Sequence, residues 1–355
     1  MSKQPILQKM NSVETTLIQN EILRVGNVTR ERYPFLRDHQ DLIGFLILFL
    51  STTTALAASY AIYYSLVPYW IGFIAFALAT SIVHEMEHDL IHKLYFQGMI
   101  MNDVMLFVVW MVRWNAINPW VRRRLHMHHH RASGTESDFE EQAITNGQPL
   151  GLKRFLMLLD GGLNILLRPV EIILLSRKFR LAQTGLSRGE NVRVALGNIF
   201  SYCPFGYFHF TALYSFVAYH IVHRLNGGDV SCLPTFIPTW LPVFSAYLWC
   251  MGFPNIFRQF LLACVSSNMH YYGDIAVGDV MRQTQVWHTW WTLPIDIFTF
   301  NFGSTHGIHH FVIRDTFYMR QIMAPSLYGY MREHGVRFND FSSILRANRF
   351  GLDTK

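Results

Sequence analysis

Two long apolar tracts, each broken once, dominate the pattern of hydrophobic and polar positions along the chain. The first runs from Leu42 to about Val67, breaks at Pro68 and resumes from Trp70 to Val83. Tyr60, Tyr63, Tyr64, Tyr69 and Trp70 crowd the break. An uncharged stretch of ~20 residues or more spans a bilayer as a helix, and aromatic rings gather where such a helix meets water. This tract predicts two membrane helices joined by a tight hairpin. The second tract predicts another pair, at roughly 195–222 and 235–265, divided by Asn226-Gly227-Gly228-Asp229. Between the tracts, Met99 to Trp114 is largely apolar with Asn102 and Asp103 inside it, which predicts a half-buried or interfacial helix. Residues 133–150 read as a polar loop, and 151–180 as a basic amphipathic segment lying on the membrane. The expected fold is an all-α membrane protein: four transmembrane helices in two hairpins, capped by a cytoplasmic helical region. Residues 1–40 form a polar leading segment, and 41–355 a single domain.

Composition supports a membrane setting. Of 355 residues, 51% are hydrophobic and only 15% are charged. The net charge of +6 is not accompanied by a basic arm or nucleic-acid motif, so nucleic acid is not an expected partner. A cytoplasmic face held against anionic lipid explains the same excess. Positive residues are also unevenly placed. Six lie in 1–40 and fourteen in 84–193, but only Arg224 and Arg258 lie between 194 and 281. The positive-inside rule then puts both termini and 84–193 in the cytoplasm, and both hairpin turns outside. The four cysteines form no close pair in sequence, which argues against a disulfide framework or thiolate-bound zinc.

Histidine adds the chemistry. Ten of the 17 histidines fall in three short segments, all assigned to one side of the membrane. His84, His88 and His92 stand at i, i+4 and i+8, on one helical face. His126, His129 and His130 form a His-x-x-His-His pattern, and His306, His309 and His310 repeat it. Neutral imidazole is the commonest side-chain ligand for a transition metal. His128 interrupts the second spacing and reads as an exposed or supporting residue. Glu85, Glu87, Asp89, Asp138 and Asp296 are candidates to orient the rings from behind. Arg122, Arg123, Arg124 and Arg131 flank the second segment and are expected on the cytoplasmic rim, as a lipid-facing patch or a docking site for an acidic electron donor or anionic headgroup.

These three histidine boxes, with membrane hairpins between them, resemble the signature of the membrane di-iron fatty acid desaturases and hydroxylases, over about residues 40 to 315. The resemblance implies two iron ions, O₂ as co-substrate, and a fatty acyl lipid or free fatty acid as substrate. It implies oxidation of a long aliphatic chain, with desaturation as the first reading and hydroxylation or oxidative decarboxylation to a terminal alkene as alternatives. It also implies a histidine after the fourth membrane helix, which matches His270. Some desaturases place an asparagine four residues before that histidine, where this chain has Ser266; Asn268 falls on another face. The implied ligand set is His88, His126, His129, His130, His270, His306, His309 and His310, with His84, His92 or both. His84-to-His88 and His88-to-His92 both fit the first box, and the choice stays open. No His-Pro-Gly-Gly haem motif occurs, so electrons are expected from a separate ferredoxin or cytochrome b5 type donor.

Two other classes fit parts of the pattern. His84-Glu85-Met86-Glu87-His88 is literally the H-E-x-x-H of zinc proteases, but that reading leaves the other boxes idle. A metal transporter would place ionisable groups within the spans, where His209, His220 and His223 are the only hints.

Overall fold

In a bilayer every backbone polar group must find its partner within its own segment, so uncharged runs become helices. The computed structural model describes residues 4–183 and 185–351, and it is helical throughout, with no strand among the described residues. Its long helices are α1 (Gln4–Arg32), α2 (Gln40–Tyr63), α3 (Tyr69–Ile91), α4 (Met99–Val112), α5 (Pro119–Ala132), α6 (Phe205–Leu225), α7 (Phe236–Met269), α8 (Phe302–Phe311) and α9 (Phe317–Glu333).

Three of them, α2, α3 and α7, are long and apolar enough to cross a membrane. The fourth expected span corresponds to α6, which is not among them; its 21 residues include His209, His220, His223 and Arg224. The second hairpin also begins later than its pattern predicts, because 188–199 fold as a separate polar helix, Arg188–Ile199. The expected amphipathic segment forms three short helices, Leu152–Leu159, Gly161–Leu167 and Pro169–Ala182. They leave Leu152, Phe155, Leu166, Val170, Ile173 and Leu181 exposed.

α2 and α3 pack along their length. A Cβ at Gly72 would lie 2.4 Å from Ile62, so only glycine lets the two helices close here. α2 turns Leu42, Phe45, Phe49, Leu50 and Leu56 outward, a lipid-facing surface. α3 is exposed near Trp70 but fully buried from Glu85 to Ile91. The first histidine box therefore begins in the last turns of a continuous helix, with His84 and His88 in α3 and His92 just after it. α3 packs on α5, α7 and α9, which brings these turns to the middle of the fold. α7 contains Pro242 and a wide π-helical turn at Leu248–Gly252, and ends at His270. Ile18 and Ile22 of α1, both fully buried, pack on Met319, Met323 and Leu327 of α9. Burying two side chains of this size contributes about 1.5–3 kcal/mol each.

Candidate metal centre

Five elements deliver the histidines: α3, the chain just after it, α5, the end of α7 and α8. On a helix, residues four apart share a face and the residue three along points about 100° from its i+4 neighbour. This separates each His-x-x-His-His pattern into a pair and a single ring. His126 and His130 point to one place with His88 and His92, and His129 points to another. In α8, His306 and His310 join His129, and His309 joins the first place. The result is two groups: His88, His92, His126, His130 and His309, and His129, His270, His306 and His310. Within each, one nitrogen per ring lies within 4.8 Å of all the others.

The nitrogens cannot all satisfy one another by hydrogen bonding. In the first group His92 Nε2 lies 3.0 Å from His126 Nε2 and 3.2 Å from His130 Nε2, which in turn are 3.2 Å apart. His309 Nε2 closes a second triangle at 3.1 Å from both His92 and His130. A neutral ring nitrogen either donates or accepts, so any triangle leaves two like atoms facing. In the second group His310 Nε2 is 3.2 Å from Nε2 of both His270 and His306. Both nitrogens of His88, which is 1% exposed, have no partner among the described residues. Nitrogens at right angles about 2.1 Å from a first-row ion lie about 3 Å apart. The donor sets fit a metal ion in each group.

Carboxylates and carbonyls back the rings. His129 Nδ1 donates to Asp138 at 2.9 Å, and His126 Nδ1 donates to Glu140 at 2.8 Å. His270 Nδ1 donates to the Ser266 carbonyl at 2.7 Å, with Glu141 3.3 Å away, and His310 Nδ1 lies 3.2 Å from Gln283 Oε1. Each bond leaves Nε2 free to face its group. Burial works against charge on His129, but Asp138 outweighs it and lifts the ring to about 9, so a metal bound at its Nε2 would displace a proton there. Burial and the field of His129 push His270 down to about 4, so it is neutral and ready to ligate.

Arg320, 1% exposed, lies behind the first group, 3.4 Å from His309 Nδ1. It is paired with Asp89 at 3.3 Å and Glu85 at 3.5 Å. Asp89 also accepts from Tyr95 and from the Phe317 amide.

The family model for fatty acid desaturases matches residues 64–342, four-fifths of the chain. The chain belongs to the fatty acid desaturase family. It is an oxidoreductase of the desaturase/hydroxylase type and an integral membrane protein, with histidine clusters suited to iron. A comparison with curated proteins finds no match.

The remaining expectations divide. His84 stands outside both groups: its Nε2 is 3.2 Å from Arg122, and its ring packs on Phe302. Of the first box, His88 and His92 share a group and His84 does not, so the H-E-x-x-H pair does not converge on one point. His128 contacts the Ser137 carbonyl and Phe139. His209 is buried between Tyr247 and Asp160, away from the histidine groups. The rim reading of Arg122 is corrected: it pairs with Glu87 beside Arg113, and its side chain is 18% exposed. Charges in the helix interior need partners, and Glu87 is the nearest carboxylate. Arg123 bonds Asn102 and the Leu90 carbonyl. Asp296 bonds Thr292 and no histidine. Glu140, Glu141, Gln283 and Arg320 were not foreseen. The first two lie on a short helix, Phe139–Ile144, inside the stretch read as a loop; its cap at Asp138 was a readable signal.

Proposed function

We propose that the two histidine groups of this desaturase-family protein each hold one iron ion, and that the pair carries out O₂-dependent desaturation of a fatty acyl chain. The observation that carries this reading is the division of nine imidazoles into two adjacent groups with unsatisfied nitrogens. Two irons, supplied with O₂ and electrons, provide an oxidant able to take hydrogen from an unactivated alkyl C–H, which no acid–base side chain can do. The protein's part is to hold the nine rings, fix their tautomers through Asp138, Glu140, the Ser266 carbonyl and Gln283, and keep the site apolar and dry.

In this reading α6 completes a set of four spans, the histidine groups sit at the cytoplasmic end, and both termini are cytoplasmic. Residues 41–355 act as one domain. Electrons come from a separate ferredoxin or cytochrome b5 type donor, which meets the cytoplasmic surface near exposed Arg131 rather than the internal Arg122.

Elemental analysis of purified protein, together with mass spectrometry of lipids and volatile hydrocarbons from expressing cells, tests the proposal. About two irons per chain and new double bonds in acyl chains are expected. Hydroxylated chains or terminal alkenes would replace desaturation by the related reactions, and one zinc with no iron would remove the di-iron reading.

A further inference from the structure

Next to the histidine groups lies a cluster of guanidinium groups, Arg113, Arg122 and Arg258, of which Arg258 lacks an ion pair among the described residues. Arg113 and Arg258 are 2% and 1% exposed, and Arg122 lies against them. Among the described residues, Arg113 and Arg122 share Glu87, Arg122 also reaches Glu140 at 3.7 Å, and Arg258 has no ion-pair partner. Its Nη2 bonds Gln259 at 3.0 Å, whereas Nε and Nη1 have no partner, and Nε of Arg113 has none either. Arginine stays charged, and burying its charge without a counterion is strongly unfavourable. The surroundings call for one further anion.

The position limits what that anion is. Arg258 lies within the apolar helix α7, so a free hydrated ion would have to shed its water to reach it. An anion carried on a hydrocarbon chain arrives with a favourable partition instead. A carboxylate complements the planar guanidinium, and one negative charge matches one unpaired arginine. Arg122 lies 3.2 Å from His84 Nε2, the charges of Arg113 and Arg258 also act on that ring, and His84 stands one helical turn, about 6 Å, from His88.

We propose that Arg258, with Arg113, binds the carboxylate of an unesterified fatty acid beside the histidine groups. This rests on the fatty-chain oxidation reading above, and it names the substrate as the free acid, anchored by its carboxyl end.

Full-length protein, iron-loaded and iron-free, is titrated with laurate, methyl laurate and acetate by calorimetry. Laurate should bind in both forms, with methyl laurate and acetate at least about tenfold weaker, as for losing a bond to a charged group. Arg258→Gln should weaken laurate at least about tenfold with iron content unchanged. If that variant does not fold, Arg258→Lys decides: it keeps the charge but not the fork and should weaken laurate about threefold or more. Methyl laurate or acetate matching laurate, or a folded variant with unaltered laurate affinity, overturns the proposal. Laurate preference in a protein that takes up no iron would remove the oxidation reading and leave the carboxylate site standing.

Discussion

The two histidine groups are built from the same motifs but supported differently. In the four-ring group every ligand residue is buried, and three rings, His129, His270 and His310, have Nδ1 tied to an oxygen of the protein. In the five-ring group His92 and His130 are half-buried, and among the described residues only His126 is hydrogen-bonded to a carboxylate and neither nitrogen of His88 has a hydrogen-bond partner. One group is held ready by hydrogen bonds. The other gathers more imidazoles and ties fewer of them by hydrogen bonds to protein oxygens, with the positive charge of Arg320 nearby. Redundant ligands and preorganised ligands are alternative ways to hold a metal.

The largest effects should come from the rings themselves. His309→Ala and His310→Ala, which remove neighbouring residues of α8 from different groups, should each abolish product formation. His310→Ala leaves three rings and should lower iron from about two per chain to about one, whereas His309→Ala leaves four and should lower it less, read by elemental analysis. Loss of both ions from either variant would show that the groups are not independent. Next is Arg320→Ala, which strands Glu85 and Asp89 in the interior. Breaking a buried pair costs about 3–5 kcal/mol, against about 0–1 kcal/mol for the partly exposed Arg337–Asp340 pair on removal of Arg337. Thermal unfolding of the two variants checks the contrast.

Iron removal should be of middle size. A ligand present at a hundred times its dissociation constant stabilises the fold by about 2.7 kcal/mol. Hydrogen exchange should show the chelated protein loosening more around His88 and His92 than around His129 and His270; equal loosening would break the comparison. Asp138→Asn should weaken iron binding in the four-ring group about 10–100-fold, with Glu140→Gln weaker because four other rings remain beside His126. The smallest effect belongs to His334→Ala: its ring stacks on Tyr330 far from both groups, and activity and iron content should be unchanged.

Much of the site was legible in the spacing. Residues four apart on a helix must point together, so His88/His92, His126/His130 and His306/His310 are pairs before any fold is known. The assignment of pairs to groups was not legible, since it depends on how α3, α5 and α8 cross. The supporting residues were harder still. Glu140 and Asp138 lie 14 and 9 residues from the rings they hold, and Gln283 lies 27 from His310. No helical periodicity links them.

By itself, the sequence determined that the chain is helical with apolar runs long enough to cross a membrane, and that its histidines fall together on helical faces in a pattern suited to metal, because apolar run length and helical spacing act locally. Only the tertiary structure decided that His84 turns to Arg122 while His92 joins the rings. It alone brought α1 onto α9, drew Arg122 inward to Glu87 and left Arg258 without a counterion. Those outcomes depend on which charges meet in an interior where none can remain unpaired at low cost, and that meeting is fixed by packing between elements far apart in the chain.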